Sequence, residues 1–240
     1  MKSLFTLVFS TFGRMPLITA LVASAPAAMA ETNFITGEVI EFTSPDDLLL
    51  DPSIAIIAVD VFGNADSVVN GVTFLTDSQT GGSGTATNGG VSVTTTATNS
   101  INDWATAPAF TGGTGDSAAN LANVMRDIRW EGSPNPITST ISGLVPGDGY
   151  NIQILTNEGA DRNRRWDIEV NGELAVDDYS SEGGTGVWTA NNSFAYSGNF
   201  AAASDGTIVI RMAQNLGGEP QIPGTDNNPI LQGIVVHALT

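Results

Sequence analysis

The segment from Gly143 to Val176 constrains the fold more than any other part of this sequence. Apolar side chains alternate with polar ones over residues 150–154 and again over 166–170, the pattern of strands with one buried and one solvent-facing side. Asn171-Gly172 follows, a dipeptide that readily takes the two positive φ angles of a type I′ turn, and the alternation then resumes. The segment therefore predicts a strand, a polar loop, a strand, a tight turn and a further strand of an antiparallel sheet.

The first 30 residues have the pattern of an export signal. An apolar run from Met15 to Val22 leads to Ala28-Met29-Ala30, which offers small residues at the positions that a signal peptidase reads. Arg14 and Pro16 interrupt the apolar stretch well short of the ~20 residues that a membrane-spanning helix needs. We therefore predict cleavage after Ala30, no membrane insertion after cleavage, and a single domain over residues 31–240.

The charge of the chain excludes several classes of partner. The formal net charge is −17, and removal of the signal takes two of the eight basic residues and none of the 25 acidic ones. A surface this acidic repels phosphate backbones and anionic membranes, which predicts that the protein binds no nucleic acid and no lipid headgroups. The same surface is compatible with neutral polysaccharides, with cations and with a salty medium.

The composition favours an all-β chain. Cysteine is absent, which excludes disulfides and thiolate metal sites, so the core itself must stabilise the fold. Glycine is abundant and only 14% of the residues are charged, a composition that suits many short strands joined by turns. One short helix is indicated from Ser117 to Met125. We predict a two-sheet antiparallel β-sandwich of jelly-roll type with at most one or two short helices.

Several other stretches of the sequence predict local structure. Residues 54–61 and 230–239 are apolar without alternation, which predicts strands buried on both faces, the second of them central. Residues 80–90 are so rich in glycine that we expect an exposed loop there. Residues 99–116 and 177–193 are expected to be long loops as well.

Four sequence runs together resemble the malectin-like and galactose-binding-like β-sandwich modules of secreted and surface proteins. They are GLVPGDGYNIQIL, RRWDIEVNGELAV, DGTIVIRM and NPILQGIVV. They share with these modules a Tyr-initiated strand, a polar loop, an Arg-aromatic-Asp-hydrophobic strand with an Asn-Gly turn, and a closing strand. The resemblance covers roughly residues 54–239 and implies a galactose-binding-like jelly roll with a ligand site built from loops at one end.

The resemblance also implies where ligand contacts lie. The family has an acidic position shortly before the closing strand, and Asp226 or Asn227 matches it here. The loop after the Tyr-initiated strand supplies an aromatic residue in malectin, and at that place this chain has Asn157 and Glu158.

Residue types alone indicate a sugar site in the loops. Sugar binding needs an exposed aromatic ring against the apolar face of a pyranose and planar polar groups for its hydroxyls. Trp104, Tyr179 and Trp188 stand in Gly-rich loops with no evident core strand to occupy. Arg162, Arg164 and Arg165 form a basic cluster that either clamps an acidic glycan or, as we prefer, pairs with nearby acidic residues, namely Glu158, Asp161 and Asp167.

Catalytic patterns are weak. The single histidine, His237, lies inside the last apolar run, where a Ser/His/acid triad would not place it, and one histidine without cysteine cannot build a usual zinc site. With 25 acidic residues, some carboxylate pair falls at a glycosidase distance by chance, so no pair is informative. We predict that the protein is not an enzyme.

Calcium is the one cofactor that these loops are equipped to hold, as a structural ion. It binds carboxylates, amide oxygens and backbone carbonyls, and no EF-hand motif is present. The foremost candidate ligands are Asp60, Asn64 and Asp66, with Asp177-Asp178 and Asp226-Asn227 as further clusters. The alternative interpretation of each cluster is an acidic turn that is exposed to solvent and binds no ion.

These observations together predict a secreted or surface-located, non-catalytic carbohydrate-binding module whose partner is a polysaccharide or other glycan. Two alternatives stay open. One is a calcium-dependent structural or adhesive protein of an extracellular matrix, and the other is a divergent glycan-degrading enzyme.

Overall fold

The computed structural model of the chain describes residues 37–77, 81–104, 106–159, 162–180, 193–217 and 226–239. The predicted export signal and Trp188 lie outside these residues. Within these ranges the helices are a 3₁₀ helix, Pro45–Leu48, and α1, Ser117–Val124, both short as predicted. The strands are β1 Glu38–Phe42, β2 Ala55–Asp60, β3 Ser67–Val69, β4 Val72–Thr76, β5 Gly82–Asn88, β6 Val91–Ala97, β7 Asn99–Ile101, β8 Ile128–Trp130, β9 Ile137–Ser142, β10 Gly149–Thr156, β11 Arg165–Val170, β12 Glu173–Ser180, β13 Ser193–Ala201, β14 Ile208–Ala213, β15 Ile230–Leu231 and β16 Gly233–Ala238.

The strands of the described residues form three sheets. The large sheet has seven strands in the order β1-β13-β10-β16-β2-β4-β3, and the second has six in the order β12-β11-β14-β9-β6-β5. A small sheet has the order β15-β8-β7. The pair β2–β4 is parallel and the other strand pairs of these sheets are antiparallel. The prediction of an all-β sandwich is confirmed.

The main core lies between the two larger sheets. Alternate residues of β2, β10 and β16 on one side and of β9, β11 and β14 on the other join one buried apolar cluster. Trp166 on β11 is fully buried in it, as its position in the alternating run predicts. Burial of such side chains, at roughly 25 cal/mol per Å² of apolar area, is the main stabilising term of the sandwich.

The large sheet is also covered on its other face. Phe42, Leu155 and Val235 join a second buried cluster with Leu121 of α1 and with Leu48 of the 3₁₀ helix. This second layer explains why β2 and β16 are apolar without alternation, and β16 lies centrally between β10 and β2 as predicted.

The expectation that β10 has one solvent-facing side is wrong. Asn151 and Gln153 point to the covered face and are at most 3% exposed. Gln153 donates from Nε2 to the carbonyl of Leu48 (2.8 Å), and Asn151 donates from Nδ2 to Ser197 Oγ (3.0 Å). Buried polar groups need such partners, because an unpaired one costs about 1–3 kcal/mol.

The predicted hairpin between β11 and β12 is present. Asn171 and Gly172 have φ angles of +52° and +83°, as a type I′ turn requires. The loop expected over residues 177–193 is wrong for residues 177–180, because β12 continues to Ser180 through a register shift opposite Ile168. Residues 181–192 of that stretch lie outside the described residues. Tyr179 is therefore a core residue, 1% exposed and paired with Trp166 at a ring-centroid distance of 4.9 Å.

The Gly-rich stretch expected to be an exposed loop is largely a strand. Residues 82–88 form β5, which pairs with β6 along its whole length at the edge of the six-stranded sheet. Gly89 and Gly90, both with positive φ, make the turn of this hairpin. Small side chains are tolerated because β5 is an edge strand with alternate residues exposed.

His237 lies on β16, as predicted, and is completely buried. Its Nε2 accepts a hydrogen bond from the Asp51 backbone N–H at 3.4 Å, so the ring is neutral at that nitrogen. Burial lowers the pKa of His237 from 6.5 to about 4, and the charge of Asp51 offsets only part of this effect.

Among the described residues, no helix has the length and the apolar character needed to cross a bilayer.

The depressed pKa of His237 predicts a loss of stability in mild acid. The unfolded chain takes up the proton near pH 6.5 and the folded chain only near pH 4, so acidification through this window favours unfolding. We expect the free energy of unfolding to fall by about 3 kcal/mol more in the wild type than in His237→Gln between pH 7 and pH 4. Urea unfolding at several pH values measures this difference, and parallel pH profiles would contradict the assignment.

Candidate functional site

A pocket opens where the loop before β11 meets the loop before β15. We call it the loop pocket. Its volume is about 100 Å³. Its lining combines aromatic, aliphatic, cationic and amide side chains, which are Ile101, Trp104, Ile128, Trp130, Arg162, Arg164, Asp226, Asn228 and Ile230.

The small sheet supplies the apolar part of the loop pocket. Trp130 on β8 stands opposite Asn99 of β7 and Ile230 of β15. Ile128 and Ile230 are each 1% exposed, so this side is anchored in the main core. The polar residues of the pocket are therefore set against a rigid apolar base.

Arg164 ties the loops of the pocket together. Its side chain is 4% exposed and donates from Nε to Glu158 Oε2 (2.6 Å), while its Nη1 donates to Asp226 Oδ2 (3.0 Å) and to the Asn228 carbonyl (3.1 Å). Asp226 Oδ2 also binds Arg162 at 3.0 Å. Charge-assisted contacts that two arginines share through one carboxylate fix the geometry of the side chains as well as balancing their charge.

Trp104 packs beneath the two arginines. The guanidinium carbons of Arg162 and Arg164 lie 5.6 and 5.5 Å from the centre of its ring, within cation–π range. A Cβ on Gly159 would come within 2.9 Å of the indole, so the absence of a side chain there lets Trp104 seat. The indole N–H groups of Trp104 and Trp130 have no hydrogen-bond partner in the described part of the chain.

The structure brings together three of the residues singled out in the sequence, Trp104, Arg162 and Asp226. Asn227 adjoins them and is half-buried without lining the pocket. The preferred interpretation of the arginine cluster is confirmed for Arg164, which pairs with Glu158. Trp188 cannot be placed, since it lies outside the described residues.

Three other candidates need correction. Tyr179 lies in the core, as described above, so its ring offers no face to a ligand. Asn157 and Glu158 are at most 2% exposed. Asn157 exchanges hydrogen bonds with Gln232, and its Nδ2 donates to the Met125 carbonyl (3.1 Å), while Glu158 holds Arg164. Because β10 ends inside the protein, these side chains serve as internal hydrogen-bond partners and support the site from below.

Sequence reasoning missed Trp130, Asn228 and the central position of Arg164. Trp130 reads as an ordinary strand residue, and no local signal shows that β8 leaves the main sheets to pair with β15. Arg164 has a weak sequence signal for its role. It precedes a strand of alternating residues, and acidic residues lie on both sides of it in the sequence.

A second, acidic pocket of about 240 Å³ lies at the end of β2. We call it the acidic pocket. Asp60, Asn64 and Asp66, the predicted calcium ligands, all line it, and the chain also brings Asp103 and Asp127 there from the β7 and β8 region. Asn120, Asn123 and Arg126 complete the polar lining.

Asp60 is the unusual residue of the acidic pocket. It is 2% exposed, and its Oδ1 has no hydrogen-bond partner in the described part of the chain. Burial, followed by the charges of Asp127, Asp77 and Asp66, raises its pKa to about 8. Burial also raises the pKa of Asp127, although the Asp103 backbone N–H donates to it.

A third cluster consists of Asp167, Asp177 and Asp178. One carboxylate oxygen from each lies within 4.8 Å of the others, a spacing that could hold a metal ion. Asp167 is already engaged, since its Oδ1 accepts from the Asp178 backbone N–H (3.1 Å) and its Oδ2 from that of Leu216 (2.7 Å).

Comparison with solved structures identifies the fold. The plant receptor-like kinase ANX2 superposes with a TM-score of 0.54 at 15% identity, over 78% of this chain and 48% of that chain. The ANXUR1 extracellular domain of Arabidopsis thaliana gives 0.53 at 13% identity over the same shares. The chain has a malectin-like fold.

This likeness confirms the resemblance at the level of fold. The complex of plant peptide RALF23 with FER and LLG2 also matches, with a TM-score of 0.53 at 15% identity over 83% of this chain and 55% of that chain. The chain thus spans about half the length of these structures. No protein-family model matches the sequence, and neither does any curated protein.

The contacts of Arg164 predict a large stability effect. Replacing it with methionine leaves the buried Glu158 carboxylate without its cation, and breaking a buried pair in this way costs about 3–5 kcal/mol. The half-exposed Arg211, which pairs with Glu169 at 3.0 Å, is the matched control, and its substitution should cost about 1 kcal/mol or less. Denaturant unfolding of Arg164→Met and Arg211→Met tests this. Equal losses would show that Arg164 does not organise the pocket.

Proposed function

We propose that this chain is an extracellular, non-catalytic module that binds an uncharged carbohydrate at the loop pocket. The observation that carries the proposal is the convergence of Trp104, Trp130, Arg162, Asp226 and Asn228 around one opening. Indole rings complement the apolar face of a sugar, and guanidinium, carboxylate and amide groups complement its hydroxyls.

The charge balance of the pocket favours a neutral sugar. The positive charges of Arg162 and Arg164 face the negative charges of Asp226 and Glu158 in direct ion pairs. An acidic sugar would have to compete with these carboxylates for the arginines. A hydroxyl group can instead accept from a guanidinium or donate to a carboxylate without breaking a pair.

The size of the pocket limits what enters it. A volume of about 100 Å³ admits one edge or substituent of a sugar ring, with the rest of the glycan lying across the mouth of the pocket. The half-exposed Arg162 is the polar side chain best placed to meet it there, because 46% of its side chain is accessible.

The absence of catalysis is part of the proposal. A glycosidase needs one carboxyl group as an acid and another as a nucleophile or base. Glu158 and Asp226 are the carboxylates closest to Arg164, and both are engaged in ion pairs with it. Such pairing favours a role for these two carboxylates in positioning side chains and disfavours a role in proton transfer.

An extracellular location is supported by two independent observations. The sequence begins with the pattern of a cleaved export signal, and the fold is shared with the extracellular domain of ANXUR1. The lack of cysteine and the acidic surface are compatible with either a secreted or a surface-attached module.

Binding to a panel of neutral and acidic glycans, followed by calorimetry on each hit, tests the proposal. We expect neutral glycans to bind, and we expect Trp104→Ala and Arg162→Ala to weaken binding at least about tenfold, which corresponds to about 1.4 kcal/mol. Arg162→Ala should keep the wild-type unfolding midpoint. Trp104→Ala removes a ring packed against the core and lowers the midpoint, so its binding is measured well below its own midpoint, where it is folded.

Arg211→Ala is the matched control, because Arg211 resembles Arg162 in exposure and in having one carboxylate partner at 3.0 Å. It should bind like the wild type. Equal weakening in both arginine variants, binding restricted to acidic glycans, or release of reducing sugar from any hit would contradict the proposal.

A calcium-dependent structural or adhesive role is the second candidate. The cluster of Asp167, Asp177 and Asp178 favours it, because such a group near the surface could bridge copies through an ion. Self-association that requires calcium and is lost in Asp177→Asn, without any glycan signal, would replace the first proposal with this one.

A further inference from the structure

Among the described residues, six strands stand at the edges of the three sheets, and five of them have features that protect an edge from pairing with another chain. β3, β7 and β15 have three residues or fewer. β1 carries Glu38 and Glu41, while β12 carries three acidic residues and pairs through register shifts. Shortness, charge and irregular pairing are common means by which proteins keep sheet edges from associating.

The sixth edge strand, β5, has none of these features. It has seven residues, carries no charged side chain and pairs with β6 without a register shift. In the described part of the chain, its backbone has no hydrogen-bonded neighbour on the side away from β6. A long, regular and uncharged edge of this kind is a template for a further strand.

The turn after β5 determines which of its backbone groups face outward. The two-residue loop 89–90 has φ angles of +56° and +93°, as in a type I′ turn, so the flanking Asn88 and Val91 form a hydrogen-bonded pair. Hydrogen-bonded and non-hydrogen-bonded pairs alternate along an antiparallel ladder. The residues that turn their N–H and C=O groups away from β6 are therefore Ser83, Thr85 and Thr87.

The side chains of β5 agree with this alternation. Thr85 Oγ1 lies 2.9 Å from Thr94 Oγ1 of β6, as expected of a non-hydrogen-bonded pair, in which side chains approach more closely. The three outward residues are exposed, whereas Gly84 and Ala86 between them are buried against the core. Both the backbone edge and the hydroxyl groups of β5 are thus accessible to a partner.

The distribution of charge favours a second copy of this chain as that partner. The formal net charge is −17, so two copies repel each other wherever acidic surfaces would meet. The strands next to the edge, β6 and β9, also have no charged residue, and the sequence has none over residues 78–102. A contact at β5 therefore brings two copies together without placing carboxylates of these strands against each other.

We propose that β5 pairs with β5 of a second copy, antiparallel and about a two-fold axis at Thr85. This register places Thr85 opposite itself and Ser83 opposite Thr87, so the outward backbone groups of all three residues are hydrogen-bonded. Moving the axis by one residue leaves Ser83 or Thr87 without a partner within the strand. Threonine and serine are favourable cross-strand neighbours, and the same surface serves both copies, as a two-fold interface requires.

The dimer joins two six-stranded sheets into one continuous sheet through a small contact. Backbone hydrogen bonds dominate the contact and little apolar area is buried, so we expect a weak, reversible dimer. Salt screens the repulsion between the two acidic copies, and dimerisation should therefore tighten as the salt concentration rises. An association held by ion pairs would weaken instead.

Dimerisation through β5 leaves the loop pocket free, because none of its lining residues lies on β5, β6 or β9. A dimer therefore carries two loop pockets and binds a polymer at two points, which raises the overall affinity without any new contact. This consequence rests on the proposed function, whereas dimerisation itself does not.

Sedimentation equilibrium of the purified protein tests the proposal, at concentrations up to about 1 mM, where weak complexes are half-formed. We expect a monomer–dimer equilibrium that tightens between about 0.05 and 0.5 M sodium chloride. Thr85→Glu places two like charges opposite each other at the axis and should weaken dimerisation about fivefold. Residue 85 is exposed, so the variant should fold, which circular dichroism checks.

Thr85→Lys should weaken dimerisation as Thr85→Glu does. An equimolar mixture of these two variants should associate more tightly than either alone, because a lysine then faces a glutamate across the axis. Thr140→Glu is the matched control, since Thr140 lies in the same cross-strand row on β9, two strands in from the edge. It should dimerise like the wild type.

Four results would overturn the proposal. They are a wild type that stays monomeric throughout, a Thr85→Glu variant that dimerises like the wild type, equal weakening in Thr140→Glu and Thr85→Glu, and a mixture of the Glu and Lys variants that associates no better than either variant alone.

Discussion

Burial of the seven-stranded sheet on both of its faces is the constraint on which the rest of the structure depends. One face meets the six-stranded sheet and the other is covered by α1, the 3₁₀ helix and Phe110. Polar side chains on its strands must then find internal partners, as Asn151 and Gln153 do, and His237 must stay neutral. The central strands β10 and β16 are buried on both faces, so binding groups associated with them act from the ends of these strands and from the loops beyond them.

One end of that sheet carries both pockets. Gly233 at the start of β16 pairs with Leu155 near the end of β10 and with Asp60 at the end of β2. From this point β10 leads to Glu158 and Arg164, the chain before β16 carries Asp226 and Asn228, and Asp60 opens the acidic pocket. The segment that follows β7 borders both pockets. Trp104 lines the loop pocket, and Asp103, its neighbour in sequence, lines the acidic pocket. A buried ion pair fixes each side, Arg164 with Glu158 at one and Arg129 with Asp77 at the other.

Much of this arrangement follows from local sequence, and the failures have identifiable physical causes. The Asn171-Gly172 hairpin, the short helix and the central position of the last strand were predictable because turn chemistry and hydrophobic period are local properties. The exposed face of β10 and the Tyr179 loop were predicted wrongly, because the covering layer and a register shift are set by distant parts of the chain. The same limit applies to the sites. Trp104, Arg162 and Asp226 could be named from residue type and resemblance, whereas Trp130, Asp103 and Asp127 enter through the pairing of β7 with β8 and of β8 with β15.

The central claim is that the loop pocket, with its two indoles, is where a neutral glycan binds. The four tryptophans of the chain give separate indole N–H signals in a ¹H–¹⁵N correlation spectrum, which single Trp→Phe variants assign. On titration with a glycan that binds, the account predicts that the Trp104 and Trp130 signals shift while that of Trp166, in the core, does not. Binding that leaves the Trp104 and Trp130 signals unmoved would contradict the account.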